Sequence, residues 1–287
     1  MATVLVCAGG TGGHLFPAEA LSAELVSRGH RVELATDERV ERLRTPFPAA
    51  AVHLIPSATF GGRGIGARIA TIARLGIGYL KALAIVARVR PAVVVGFGGY
   101  PTLPPLIAAR TLFRPTLVHE ANAFAGRANR LLARFSRVAT SFPTVGGLAG
   151  LSSSPVMTGL PVRGAVRALA GTHYPPLGEA DPVRLLVFGG SQGARVLADR
   201  APPALALLPE DIRGRLSVVQ QCRPEDLERV RAAYRDAGIA AELAPFFADL
   251  PVRMANAHLV LCRSGASTIA ELATIGRPAI LVPLPHA

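Results

Sequence analysis

The chain has 287 residues, of which 50% are hydrophobic and 17% are charged, and its formal net charge is +12. This length exceeds that of one ordinary domain and predicts two, both with enough apolar residues to bury a sheet. The positive charge favours an anionic partner, either a phosphorylated substrate or an anionic membrane surface. Nucleic acid is disfavoured, because aromatic residues make up only 5% of the chain and no recognition motif is visible.

The cysteines are three in number and far apart, at Cys7, Cys222 and Cys262. This pattern matches neither a disulfide framework nor a metal cluster, and it predicts a reducing, cytoplasmic environment. The N-terminus lacks the charged and long apolar regions of a signal peptide. We therefore expect a soluble protein that touches a membrane without crossing it.

The first predicted strand, residues 3–8, runs directly into a glycine-rich stretch at residues 9–14 (GGTGGH). A helix is predicted to follow over residues 17–28, with Pro17 at an early position that suits proline. Backbone N–H groups without neighbouring Cβ atoms can approach an oxyanion, and a helix start adds partial positive charge. The stretch thus predicts a phosphate-binding turn; the alternative is a tight turn without a ligand.

Strands and helices alternate through the first half of the chain. Continuous apolar runs, rather than alternating ones, are typical of strands in a parallel sheet that is covered on both faces. The further strands are predicted at residues 31–35, 51–55, 92–95 and 116–119, and the further helices at residues 67–89 and 102–112.

The alternation stops over residues 143–183 and restarts with a strand at residues 183–188. Residues 189–193 (GGSQG) then repeat the N-terminal glycine stretch in all but one glycine, again between a strand and a helix. Further strands are predicted at residues 216–220, 241–243, 258–262 and 278–282, with helices at 224–237 and 267–275.

The repeated pattern predicts an α/β fold of two doubly wound, Rossmann-like domains that face a cleft. The predicted boundaries are 1–160 for the first domain, 161–183 for a linker and 184–287 for the second domain. Since the chain stops just after a predicted strand, we expect the second domain to be incomplete.

Six motifs occur in one order along the chain, and together they resemble those of a known enzyme family. They are residues 9–14, Gly98-Gly99-Tyr100, residues 119–122 (HEAN), Pro161-Val162-Arg163, residues 189–194 and residues 263–271. The chain resembles the two-domain, B-type glycosyltransferases of peptidoglycan synthesis. The resemblance implies inverting transfer of N-acetylglucosamine from UDP to the 4-hydroxyl of a lipid-linked muramyl-pentapeptide, which converts lipid I to lipid II. It also implies a peripheral enzyme on the cytoplasmic face of the bacterial plasma membrane.

Two residues are candidates for the catalytic base. His14, at the rim of the first glycine turn, can accept the proton of the attacking hydroxyl, because an unperturbed histidine titrates near neutrality. The alternative is that His14 only hydrogen-bonds the turn or a phosphate. Glu120 is another candidate base or the residue that orients the base. The alternative interpretation is that Glu120 is a structural carboxylate, hydrogen-bonded to neighbouring backbone.

The resemblance places UDP largely on the second domain. Ser191 would hold the diphosphate at a helix start, the backbone of Phe247 would meet the uracil, and Glu271 would accept the ribose hydroxyls. Without the resemblance, Thr268 and Glu271 would be interpreted as a helix-capping box. Asn122 would approach the donor sugar from the first domain, and Arg163, in the predicted linker, would neutralise the leaving phosphate. The implied donor site comprises Thr11, Gly12, Gly13, Asn122, Arg163, Ser191, Phe247, Ala266, Ser267, Thr268, Ile269, Ala270 and Glu271, and the implied acceptor site comprises Gly98, Gly99 and Tyr100.

No cofactor and no metal ion is expected, since the sequence contains no Asp-x-Asp motif and helix dipoles with Arg163 can neutralise the diphosphate. Two alternatives stay open. A UDP-sugar epimerase or hydrolase of the same architecture would share the donor half of the site. A truncated chain could instead bind the membrane or the acceptor substrate without turnover, because a donor-reading glutamine of the family would lie beyond Ala287.

The predicted helix at residues 67–89 carries Arg74, Lys81 and Arg88 at intervals of seven, which places them on one side. One interpretation is a sheet-covering helix with a solvated basic face. The other is a contact with an anionic membrane surface. The residues assigned to that contact are Arg63, Arg68, Arg74, Lys81 and Arg114.

Overall fold

The computed structural model describes residues 1–9, 11–42, 47–57, 65–148, 151, 154–190 and 194–284, and of residues 41–42 and 65–68 only the backbone. The chain divides into two compact units, Met1–Arg163 and Gly164–Ala287. The division falls three residues after the predicted end of the first domain, and the predicted linker residues 164–183 belong to the second unit.

The first unit is built on a parallel sheet of seven strands among the described residues, in the order β3-β2-β1-β4-β5-β6-β7. The strands are β1 (Thr3–Cys7), β2 (Arg31–Thr36), β3 (Ala51–Leu54), β4 (Val93–Gly96), β5 (Thr116–Glu120), β6 (Arg137–Thr140) and β7 (Val156–Met157). The helices are α1 (Gly12–Ser27), α2 (Ile65–Val89), α3 (Leu103–Thr111) and α4 (Arg127–Leu132).

Both faces of this sheet are buried, as the continuous apolar runs predicted. Leu5 and Val94 face the core that α2 and α3 complete with Val86 and Leu106. On the opposite face, Val6 and its neighbours pack against α1. The predicted parallel, doubly covered sheet is therefore confirmed in the first unit.

The second unit has a parallel sheet in the order β10-β9-β8-β11-β12 over the described residues. Its strands are β8 (Val183–Phe188), β9 (Leu216–Gln221), β10 (Ala240–Ala244), β11 (Leu259–Arg263) and β12 (Ala279–Val282). Its helices are α5 (Gly164–Arg167), α6 (Arg195–Ala206), α7 (Glu210–Arg213), α8 (Leu227–Asp236), α9 (Leu250–Asn256) and α10 (Ala266–Ile275).

The strand order of each sheet reverses at one point, next to β1 in the first unit and next to β8 in the second. In open α/β sheets, ligands bind outside the carboxyl ends of the strands at such a switch point. Each glycine stretch follows the strand at its own switch point. The topology thus places both stretches where this fold class binds ligands.

Helix α1 begins earlier than predicted, at Gly12 instead of residue 17. The carbonyl of Thr11 accepts hydrogen bonds from the backbone N–H groups of His14 (3.0 Å) and Leu15 (2.9 Å), which closes the first turn. The glycine stretch therefore supplies the start of the helix, and His14 lies in its first turn.

Candidate active site

Two glycine segments lie against each other at the switch point of the first sheet. The N–H of Gly9 donates to the carbonyl of Gly98 at 3.1 Å. A Cβ atom at Gly99 would lie 3.2 Å from the Cα of Gly9, and Gly98 and Gly99 both have positive φ angles of 91° and 83°. Glycine is required at these two positions because the backbone is left-handed and the approach is close.

The imidazole of His14 is held beside these glycines by a hydrogen bond to the backbone. Its Nδ1 lies 2.9 Å from the carbonyl oxygen of Phe97, and a carbonyl oxygen can only accept. Nδ1 therefore carries the proton, and Nε2 is left with a lone pair. A Cβ at Gly98 would lie 3.3 Å from Nδ1, so a side chain there would press against the imidazole.

Burial lowers the pKa of His14 below its usual range. The hydrogen bond to Phe97 and the negative charge of Glu120 act in the opposite direction but more weakly. A lowered pKa keeps the imidazole neutral at pH 7 and below. The site thus contains a neutral histidine whose Nε2 can accept a proton.

Glu120, at the end of β5, is 2% exposed, and both of its carboxylate oxygens accept hydrogen bonds. Oε1 accepts from the backbone N–H (2.9 Å) and the Nδ2 (3.0 Å) of Asn122. Oε2 accepts from the N–H of Gly126 (3.0 Å) and from Nδ2 of Asn129 (2.8 Å). Three of these bonds fasten the loop of residues 121–126 to the strand end, and the fourth fastens α4.

Asn129 was not identified from the sequence, yet it bonds one candidate base and lies near the other. Its Nδ2 bonds Glu120, and a Cβ at Gly98 would lie 3.4 Å from that nitrogen and 3.3 Å from His14. The structure therefore brings His14, Gly98, Gly99 and the Glu120 network together. A lone asparagine in a short helix carries no motif by which sequence alone could have singled it out.

Arg163 lies against the first turns of α1. Its guanidinium carbon is 3.8 Å from the centroid of the Phe16 ring, within the range of a cation–π interaction. Gly12 leaves room for that ring, since a Cβ at Gly12 would come within 2.9 Å of it. Phe16 was also missed by sequence reasoning, because the aromatic ring is distant from Arg163 along the chain.

The second glycine turn is only partly described, since Ser191, Gln192 and Gly193 lie outside the described residues. At its start, a Cβ on Gly189 would lie 2.2 Å from the backbone nitrogen of Ala194. Gly190 has a φ of 86°. The tight approach and the left-handed backbone together account for the two glycines that open the turn.

Most of the remaining predicted donor residues lie on α10. Ala266, Ser267, Thr268, Ile269, Ala270 and Glu271 all belong to this helix. The residue that caps the helix is Gly265, so the capping-box interpretation of Thr268 and Glu271 is wrong. Glu271 is buried with 5% exposure in the second turn. Phe247 is buried, and its ring lies 4.2 Å from the guanidinium carbon of Arg253.

No group of three or more histidine, cysteine or acidic side chains in the described part of the chain could hold a metal ion. The three cysteines are buried and free.

Residues 4–140 match the glycosyltransferase family 28 N-terminal domain, and residues 184–287 match the glycosyltransferase family 28 C-terminal domain. The chain belongs to glycosyltransferase family 28. A relative from Methylobacterium nodulans is 59% identical over 98% of this chain and 77% of its own length. It is named UDP-N-acetylglucosamine--N-acetylmuramyl-(pentapeptide) pyrophosphoryl-undecaprenol N-acetylglucosamine transferase. A protein of the same name from Allorhizobium ampelinum is 50% identical over 99% of this chain and 76% of its own length.

Among solved structures, this family 28 chain is similar to Acinetobacter baumannii MurG, with a TM-score of 0.73 and 31% identity. That match covers 100% of the chain and 80% of the crystal structure. A UDP-GlcNAc 2-epimerase from Neisseria meningitidis has a TM-score of 0.61 at 14% identity, and the match covers 97% of this chain and 82% of the epimerase chain. The second likeness shows a shared fold alone.

The family 28 chain exposes an apolar surface on α2. By length and composition, residues 69–89 could cross a membrane, and 28% of their most apolar window is buried. Ile85 and Val86 pack into the core of the first unit, which identifies α2 as a covering helix. A second apolar side faces outward, and its exposed residues are Ile69, Ile72, Ile77 and Leu80, each more than 60% exposed.

The basic side chains of α2 lie beside that apolar side, where Arg74, Lys81 and Arg88 are all exposed. At the end of the adjoining α3, Phe113 is 90% exposed and has a left-handed φ of 53°. Arg114 follows it. Arg63 lies outside the described residues, and so does the side chain of Arg68.

Proposed function

We propose that this enzyme transfers N-acetylglucosamine from UDP to the 4-hydroxyl of a lipid-linked muramyl-pentapeptide, with inversion at the anomeric carbon. The relatives named above carry out this class of transfer, to judge by their names. The observation that carries the mechanism is the hydrogen bond from His14 Nδ1 to the Phe97 carbonyl. It leaves Nε2 as a proton acceptor at the switch point of the first sheet.

In the proposed step, the acceptor substrate lies over Gly98, Gly99 and Tyr100 with its 4-hydroxyl at His14 Nε2. The hydroxyl proton moves to Nε2 while the oxygen attacks the anomeric carbon. The bond from that carbon to UDP breaks, and its electron pair leaves on the diphosphate. Arg163, stacked on Phe16, neutralises the charge that develops there.

For Glu120 we propose a positioning role, one of the alternatives that the sequence left open. Both carboxylate oxygens are occupied by four donors, so a proton arriving there would break one of these bonds. Its charge also favours the protonated imidazole that forms when His14 accepts a proton. Asn122, which is fixed by Glu120, would then present its exposed amide group to the donor sugar.

The donor is proposed to bind the second unit through Ser191, Ser267, Thr268 and Glu271, with Phe247 next to the base. Helix α10 supports this assignment because its N-terminus follows β11 at the switch point of the second sheet. Glu271 would accept the ribose hydroxyls, as acidic residues do in other nucleotide-binding α/β folds.

Incubation with UDP-N-acetylglucosamine alone separates transfer from the alternative reactions. We expect the wild-type enzyme to release UDP only when a soluble lipid I analogue is added, because the attacking hydroxyl belongs to the acceptor substrate. Chromatography of the nucleotide and sugar products checks this expectation. Epimerised or hydrolysed sugar without the analogue would contradict transfer, and no UDP release with it would support a binding fragment without turnover.

We further propose that the enzyme is peripheral, on the cytoplasmic face of the bacterial plasma membrane. The apolar side of α2 and the ring of Phe113 would enter the interface, and Lys81, Arg88 and Arg114 would meet anionic headgroups. Spanning the bilayer would require Ile85 and Val86 to leave the core.

The double variant Ile77→Glu with Leu80→Glu is expected to weaken binding to anionic vesicles at least ~10-fold. Two buried aliphatic side chains contribute roughly 3 kcal/mol or more to a membrane contact. Cosedimentation with phosphatidylglycerol-containing vesicles measures the loss. The matched control is Leu207→Glu, at a residue of the second unit that is 87% exposed, and it should bind as the wild type does. Equal binding by all three proteins would contradict the α2 surface as the attachment site.

A further inference from the structure

A cavity of about 270 Å³ opens in the first unit at the carboxyl ends of β2 and β3. Its lining combines charged, hydroxyl and apolar side chains: Asp37, Glu38, Arg39, Ile55, Ser57, Arg74 and Tyr100. None of these residues belongs to the two glycine turns. Of the lining, only Arg74 and Tyr100 have been considered so far, as candidate membrane and acceptor contacts.

The cavity adjoins the proposed base. Tyr100 directly follows Gly99, where a Cβ atom would lie 3.3 Å from the imidazole Cδ2 of His14. Asp37 and Arg39 are also close enough for their charges to act on the pKa of His14, in opposite directions. A substrate that places its hydroxyl at His14 therefore extends its neighbouring groups toward this cavity.

Two of the four charged side chains in the lining are paired with each other. Arg39 Nε lies 2.9 Å from Oδ2 of Asp37 and 3.1 Å from Oδ1, so these two residues neutralise each other. Arg74 is exposed and forms no hydrogen bond or ion pair with another described residue. Its guanidinium is thus available for a carboxylate of a ligand.

The rest of the lining favours a peptide over a diphosphate. Ile55 supplies a buried apolar wall, and Ser57 and Tyr100 supply hydroxyl groups that can bond amides. A diphosphate would bring at least two negative charges beside the carboxylates of Asp37 and Glu38, with one guanidinium to balance them. A peptide offers apolar groups for the Ile55 wall, amides for the hydroxyl groups and a carboxylate for the guanidinium of Arg74.

The chemistry of the acceptor substrate points the same way. In a muramyl sugar the peptide is attached through the lactyl ether on O3, the position next to the attacked O4. The diphosphate is on C1, on the opposite side of the ring. A cavity beside the base at O4 is therefore reached by the O3 substituent.

We infer that this cavity binds the peptide of the acceptor substrate and that Arg74 bonds a carboxylate of that peptide. The inference rests on the proposed function. It assigns Arg74 to substrate recognition, whereas Lys81 and Arg88, on the same side of α2, do not line the cavity.

Transfer kinetics with two soluble, short-chain acceptor analogues test the inference. One analogue carries the full pentapeptide, and the other carries a single amino acid capped as an amide. Arg74→Ala is expected to lower kcat/KM about 10-fold for the pentapeptide analogue, through KM, and to leave the capped analogue unchanged. Arg74→Lys should restore part of the loss. Arg134→Ala, the matched control at an exposed arginine of the first unit with no assigned role, should leave the kinetics with both analogues unchanged.

Equal losses of kcat/KM by Arg74→Ala with both analogues, or no loss with either, would overturn the peptide assignment. The proposed function would still stand if the wild-type enzyme transfers to the analogues. Arg74→Ala and Arg88→Ala could both weaken binding to anionic vesicles and leave transfer to the soluble analogues unchanged. In that case Arg74 contacts the membrane instead, and the inference is wrong. If the wild-type enzyme transfers to neither analogue, the proposed function fails first. Circular dichroism spectra identical to the wild type establish that each exposed-residue variant is folded.

Discussion

Replacing His14 with alanine is expected to lower the kcat of transfer by about 10²–10⁴-fold. The imidazole is the proposed acceptor of the hydroxyl proton, and alanine offers no group in its place. Affinity for UDP should stay unchanged, since the donor is proposed to bind mainly to the second unit. Transfer kinetics with a soluble lipid I analogue and calorimetric titration with UDP measure the two quantities.

The matched control for this substitution is His173→Ala. His173 is exposed and belongs to the second unit, and its side chain has no assigned role. This variant should turn over as the wild type does. A kcat for His14→Ala within about twofold of the wild type would rule out general base catalysis by His14, which is worth far more than that factor.

Replacing Glu120 with alanine is expected to destabilise the first unit by about 3 kcal/mol. The substitution removes the acceptor of four hydrogen bonds and leaves Nδ2 of Asn129 and the N–H of Gly126 without that partner. For a unit of this size the midpoint of thermal unfolding should fall by roughly 6–12 °C. Differential scanning calorimetry measures the shift.

Glu24→Ala serves as the control for stability, because Glu24 forms an exposed ion pair with Arg28 on α1 and such pairs contribute little. Glu120→Gln separates structure from catalysis, since it keeps one acceptor oxygen and the shape of the side chain. Below its unfolding transition, Glu120→Gln should retain kcat within about 10-fold of the wild type. A loss as large as that expected for His14→Ala would instead identify Glu120 as the base.

Much of the fold could be predicted because its signals are local. Continuous apolar runs identify buried parallel strands, and a strand followed by glycines and then a helix identifies the switch-point turn in each unit. Helix α6 gave a weaker signal, since it contains Pro202 and Pro203, which are disfavoured in helix interiors. The start of α1 was misplaced because glycine rarely begins a helix by its own preference.

The site could be predicted only as a set of residues. His14 has the right residue type at the right turn, but its tautomer depends on the carbonyl of Phe97, 83 positions away. Of the four donors to Glu120, Nδ2 of Asn129 depends likewise on how α4 packs against β5. On α2 the spacing of Arg74, Lys81 and Arg88 predicts a basic side, but tertiary packing alone decides which apolar residues enter the core.

The dependence of kcat on pH tests most directly the central claim that a neutral His14 accepts the proton. A base works only when deprotonated, and burial lowers the pKa of His14. The rate should therefore stay level from pH 7 downward and decline only as the pH falls through that lowered value. The account predicts an acid-limb midpoint below about 6.5, the usual histidine value, and no such limb in the residual activity of His14→Ala. A midpoint above 7, or the same acid limb in His14→Ala, would contradict it.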